Sequence, residues 1–95
     1  MNTNDKLLKR VNDLIALADN VLRTEKRGTG TFSTPYVDNE IFTEFKNASL
    51  SFIMNLYGNK HPYYTGFVGD CNRATPYETK AGRGIMSSVK TEIEE

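Results

Sequence analysis

Apolar residues recur near the start of the chain at Leu7, Val11, Leu14, Ala18 and Val21, a spacing of 4, 3, 4, 3, with Leu8, Ile15 and Leu22 seven apart on the flank. The spacing predicts a helix over residues 5–27 with a wide apolar stripe. Thr3 or Asn4 supplies an N-cap, and Asp5 sets a carboxylate against the positive end of the helix dipole. Lys26 and Arg27 suit the last turn, and Gly28 ends it. At about 1.5 Å per residue this helix is roughly 33 Å long, more than one side of so small a core requires. Part of the stripe is therefore expected to face another chain.

The second helix is the most strongly signalled. Ile41, Phe45, Ala48, Phe52 and Leu56 line one face, with Phe42, Ser49 and Ile53 beside them. Asp38 stands as N-cap, Val37 and Phe42 form a hydrophobic staple, and Gly58 takes the position after the C-cap. Burying Phe42, Phe45 and Phe52 supplies on the order of ten kcal/mol before chain entropy is subtracted. A third helix over 76–95 opens with the capping box Thr75-Pro76-Tyr77-Glu78, in which the threonine oxygen takes the Glu78 amide and the Glu78 carboxylate reaches back to the Thr75 amide. Ile85, Val89 and Ile93 follow at i, i+4 and i+8, with Met86 beside them. Gly82 and Gly84 weaken this helix unless a neighbour packs closely on them.

Two segments carry no helical period. Residues 28–37, GTGTFSTPYV, read as a connector whose Phe32 and Tyr36 fold back onto the helices. Residues 59–75 read as a second connector holding one helical turn near 62–68, with Pro62 at its first position and Gly66 and Gly69 keeping it short. Glu92, Glu94 and Glu95 place negative charge where the helix dipole is already negative, so the last turn either frays in solvent or continues into a longer chain.

The pattern predicts one all-α domain over residues 1–95, a three-helix bundle with an additional short helical turn. The stripes on the first and third helices are wider than the second can cover, which implies a homodimer. Leu7, Val11, Leu14, Ala18 and Val21, with Ile85 and Val89, are assigned to its core and interface.

Composition narrows the partners. The 12 basic and 12 acidic residues cancel, so no net charge drives bulk nucleic-acid binding or holds the chain on an anionic membrane. No apolar run approaches the roughly 20 residues that span a bilayer, and MNTNDKLLKR has no apolar h-region, so the cytoplasm is the expected compartment. One cysteine and one histidine do not make a self-contained zinc site, and no cofactor is expected. Charge alternates from segment to segment, basic in 1–37 and 59–84 and acidic in 38–58 and 85–95, which suits helix-to-helix pairing.

Tyr36-Val37-Asp38, Ser49-Leu50-Ser51-Phe52, Gly58, Pro62-Tyr63-Tyr64 and Phe67 form a pattern, and Gly84-Ile85 through Lys90 to Ile93-Glu94 extend it. This pattern resembles a small helical domain that stands ahead of TIR-like nucleotide-binding domains in bacterial proteins. Phe45 departs from it, replacing a tryptophan. The resemblance implies a helical fold and an adaptor or oligomerisation role in antiviral or signalling effectors. Its matching residues are structural and lie outside the TIR-like part, so nucleotide chemistry does not carry over.

Three constellations invite chemistry. Cys71 and His61, with Asp70 as orienting carboxylate, have the types of a nucleophile–base pair, but their spacing follows no known signature. Cys71 is expected to be a packing residue and His61, before Pro62, a helix N-cap or an exposed loop residue. Asp38, Glu40 and Glu44 have the types to hold a divalent ion, yet an N-cap with first-turn acids explains them without a metal. The glycine clusters Arg27-Gly28-Thr29-Gly30 and Lys80-Ala81-Gly82-Arg83-Gly84 match no P-loop and follow no strand. A helix end and close helix packing account for them.

Gathered on one surface, Arg73, Lys80 and Arg83 with Tyr63, Tyr64 and Tyr77 would stack a base and hold phosphate. The function favoured is a non-catalytic helical interaction or oligomerisation module of a bacterial defence or signalling protein. The alternative is a small phage or mobile-element protein that sequesters a nucleotide signal through Tyr63, Tyr64, Arg73, Lys80 and Arg83.

Overall fold

The structure is a computed structural model that describes residues 3–28 and 34–95. Four helices make its body: α1 over Thr3–Arg23, α2 over Asn39–Tyr57, α3 over Pro62–Asp70 and α4 over Pro76–Glu94. Two residues on each side of the first connection, β1 (Lys26–Arg27) and β2 (Pro35–Tyr36), pair antiparallel, with Lys26 opposite Tyr36 and Arg27 opposite Pro35.

α1 stops at Arg23, four residues short of the expected end. Thr24 causes the stop: its hydroxyl donates to Val21 O at 2.6 Å and accepts the Asp38 amide at 2.8 Å. One threonine thus closes α1 and seats the start of α2. Lys26 and Arg27, expected in a last helical turn, lie in β1 instead, and Thr3 and Asn4 lie inside α1. Phe32 falls outside the described residues. Tyr36 does not fold back onto the helices; it is 47% exposed.

α2 is built as its caps require. The Asp38 carboxylate accepts the Ile41 amide at 2.9 Å, Val37 and Phe42 are both buried, and Gly58 takes φ 91° where its amide donates to Met54 O. At the start of α4 half of the expected box forms. Thr75 Oγ1 accepts the Glu78 amide at 3.1 Å, but the Glu78 carboxylate turns to the preceding loop and accepts the Asn72 and Arg73 amides at 2.8 and 3.0 Å. The Thr75 amide donates to Arg73 O, which leaves it no need of Glu78.

The segment near 62–68 is a full nine-residue helix rather than one turn. Gly66 does not break it, because α4 packs on that side: a Cβ at Gly66 would meet Ile85 Cδ1 at 3.8 Å. Among the described residues the bundle therefore has four helices. Thr24, just after α1, holds the Asp38 amide, and the neighbouring Val37 amide donates to Ala74 O, which sets the end of α1 beside the start of α4; Asp19 meets Arg83 further along, so α1 and α4 run antiparallel. They are the most extensively packed helix pair.

That pairing sets most of the residues assigned to core and interface in the core. Val11, Leu14, Ala18, Val21 and Val89 are at most 1% exposed and fill the chain's own core; Leu7 and Ile85 are half-buried. α1 and α4 cover one another, and α2 and α3 close the rest. Those five residues therefore stand in the core, while Leu7 and Ile85 keep part of their surface open. Among the described residues no helix is long and apolar enough to cross a membrane.

Candidate functional site

Surface chemistry divides the molecule in two. α1 and α4 are laced with charge: Asp5, Lys6, Lys9, Arg10, Asp13, Asp19 and Arg23 on one, Glu78, Lys80, Arg83, Lys90, Glu92 and Glu94 on the other. Between Lys46 and Asp70, across most of α2 and α3, the sole charged residue is Lys60. The chain average of 25% would place about six there. On this surface Met54 is 46% and Val68 42% exposed, and Leu50, Tyr57 and Tyr64 are half-buried.

Helical spacing explains why α2 has an outer apolar strip. Its inner stripe, Phe42, Phe45, Ser49 and Ile53, enters the core. A second stripe, Thr43, Asn47, Leu50, Met54 and Tyr57, again follows 4, 3, 4, 3; Thr43, Asn47 and Met54 are exposed, while Leu50 and Tyr57 are half-buried against the core. On α3, Phe67 packs on Phe45 of α2 with ring centroids 5.8 Å apart, while Gly66 faces α4. Helical geometry then sets Tyr64 and Val68 on the flank of α3 turned away from Gly66 and α4.

An aromatic corner joins α2 to α3. Tyr57, His61 and Tyr63 stack with centroids 4.5, 4.8 and 5.3 Å apart, and His61 Nδ1 accepts the Tyr63 amide at 3.0 Å as the N-cap of α3. Tyr63 Oη donates to Glu92 Oε2 at 2.7 Å and ties the corner to the end of α4. That bond, then burial and the Glu92 charge, push the Tyr63 phenol up to about 12. Burial, followed by the Glu92 charge, also raises Tyr57.

Cys71 is fully buried, and burial, followed by the Glu78 charge, pushes its thiol up to about 12. His61 spends its Nδ1 on the α3 cap. The two do not meet the demands of a nucleophile and its base, which are a thiolate and a free ring nitrogen beside it. Asp38 caps α2, and among the described residues no group of three or more His, Cys, Asp or Glu is placed to hold a metal ion. Gly82 is packed tightly on three side chains, so it cradles no anion, whereas a Cβ on Gly84 would meet nothing. Thr29 and Gly30 of the other cluster lie outside the described residues.

The five residues proposed to bind a nucleotide are not brought together. Tyr63 lies at the Glu92 end of α4; Lys80 is twelve residues back along that helix, about 18 Å at 1.5 Å per residue. Arg83 turns to α1, where its Nε meets Asp19 Oδ1 at 2.7 Å. Arg73 is exposed in the loop before α4, and Tyr64 is half-buried. Three surface depressions, of about 530, 300 and 260 Å³, are lined by Tyr63 with Ser88, Thr91, Glu92 and Glu95; by Gly69, Asp70, Tyr77, Glu78 and Ala81; and by Thr24, Lys26, Tyr36 and Asp38. Of the five, these three hold Tyr63 alone.

The charge-poor face was missed in the sequence although its signal is there, as 23 consecutive positions with one charge and as a second 4, 3, 4, 3 stripe. Compared with protein-family models, curated proteins and solved structures, the chain matches none.

Proposed function

We propose that the chain is a non-catalytic helical interaction and oligomerisation module that acts through the outer face of α2 and α3. One observation carries the reading: a surface that exposes Met54 and Val68, and half-exposes Leu50, Tyr57 and Tyr64, holds the single charge of Lys60 between Lys46 and Asp70. Depletion of charge with enrichment in Met and Tyr is what distinguishes the centre of an interface from ordinary surface. The buried thiol of Cys71 and the capping role of His61 favour binding over covalent catalysis. The setting adopted is the one implied by the resemblance over residues 36–67, a cytoplasmic bacterial defence or signalling protein. Nucleotide sequestration gains no support from where its five residues lie.

The test is photocrosslinking in cells from a benzophenone amino acid placed at Met54, compared with the same group at Ser88 on the exposed side of α4. The reading predicts protein adducts, to itself or to another chain, from position 54 and few from 88. Equal labelling, or none from 54, contradicts it.

A further inference from the structure

We infer that His61 is a proton-operated latch on the start of α3 that regulates the edge of the interaction face; this rests on the interaction reading above and adds its regulation. Pro62 brings no N–H to the first turn of α3, and the three amides that follow it all go to His61. Tyr63 N donates to Nδ1 at 3.0 Å, and Tyr64 N and Thr65 N donate to the His61 carbonyl at 2.9 and 3.1 Å. The side-chain part of this cap exists only while Nδ1 keeps its lone pair, so the bond assigns the ring proton to Nε2. The chain has one histidine, and the fold places it here.

A second proton on the ring inverts the cap. Nδ1 becomes a donor pointing at the Tyr63 amide, which is also a donor, and the new charge falls on the positive end of the α3 dipole. The ring is not free to turn away, because it stacks on Tyr57 and Tyr63 with centroids 4.5 and 4.8 Å apart. The titratable and charged groups that face it are the phenols of Tyr57 from α2 and Tyr63 from α3, Glu92 and Glu95 from the end of α4, and Lys60 beside it in the chain. Glu92 accepts the Tyr63 hydroxyl, and among the described residues no carboxylate lies within ion-pair distance of the imidazole to stabilise its charge.

The latch reaches the face through its own partners. Tyr57, stacked on the ring, and Tyr64, whose amide the His61 carbonyl holds, are the half-buried tyrosines of that face. α3 has nine residues, so a frayed first turn removes a large part of it. Acid thus loosens the corner where α2 meets α3 across the range of about pH 8 to 5 in which histidine takes up a proton.

Amide hydrogen exchange of the purified chain, resolved by NMR at about pH 7.5 and 5 and corrected for the intrinsic rate at each, tests this. Protection at Tyr63, Tyr64 and Thr65 is expected to fall about fivefold or more on acidification, the equivalent of one lost cap, with little change in α1. His61→Asn keeps a side-chain acceptor that does not titrate, so it should hold these amides alike at both pH values. In the wild type the ring signals of Tyr57 and Tyr64 should move in step with the amides, and in the variant they should stay. Equal protection of the wild type at both pH values, the same fall in His61→Asn, or tyrosine rings that keep their shifts while the amides open, overturns the inference. A cap indifferent to pH leaves the interaction reading intact, since that reading fails only on the crosslinks from position 54.

Discussion

Gly82 of α4 lies so close to Cys71 that a Cβ placed on it would stand 2.8 Å from the sulfur, with Phe45 and Phe67 ring carbons at 3.1 Å. The helix interior tolerates glycine there because no side chain fits between α4, α2 and the end of α3. Two positions on, a Cβ at Gly84 would meet nothing. Gly82→Ala should therefore destabilise the fold by about 1–3 kcal/mol through overpacking, whereas Gly84→Ala should stabilise it by about 0.5–1 kcal/mol through helix propensity. Urea unfolding of the two variants checks the opposite signs.

The same contact hides the thiol. With Cys71 buried and its thiol pushed up to about 12, the native protein should hardly react with a disulfide reagent near neutral pH, and labelling should rise along with global unfolding in urea. Rapid labelling of the folded chain would show that the seat of Cys71 is open.

Tyr63 makes stability fall in alkali. Its phenol is raised in the folded state by the bond to Glu92, so the unfolded chain loses that proton first, near pH 10, and the folded chain only near 12. The contribution is fully present below pH 10 and is lost between 10 and 12. Tyr63→Phe should remove its own share of that decline, leaving the shares of Cys71, whose thiol is pushed up to about 12, and of Tyr57, whose phenol is also raised. Urea midpoints measured across that range, for wild type and variant, decide it.

Ser49 sits fully buried on the inner stripe of α2, and its hydroxyl has no hydrogen-bond partner. Removing an unpaired buried hydroxyl costs nothing and improves helix propensity. Ser49→Ala is expected to be neutral or stabilising by about 1 kcal/mol in thermal or urea unfolding. A loss of stability would mean that the hydroxyl is satisfied in solution.

The sequence made the start of α2 legible because caps are local: Asp38, Val37 and Phe42 act within a few residues of one another, as does Thr75 on Glu78. It misplaced what depends on distant partners. α1 ends at Thr24 because Thr24 reaches Asp38, fourteen residues on, and the Glu78 carboxylate is drawn to loop amides that no spacing rule contains. Gly66 and Gly69 were expected to keep this segment to one turn, yet α3 runs through Gly66, packed there against α4, and ends at Asp70 beside Gly69. The apolar stripe of α1 was assigned to core and interface; Val11, Leu14, Ala18 and Val21 are core, covered largely by α4 of the same chain. The outer stripe of α2 escaped notice because Thr43 and Asn47 are polar and the Phe-rich inner stripe dominates the pattern.

The surface assignment is tested most directly by backbone amide spectra of the isotope-labelled chain recorded over a concentration series. Shifts that grow with concentration at Asn47, Leu50, Met54, Tyr64 and Val68, and stay small on the outer sides of α1 and α4, are the predicted result. Shifts centred on α1 and α4 would contradict it, and concentration-independent spectra would contradict self-association through this face.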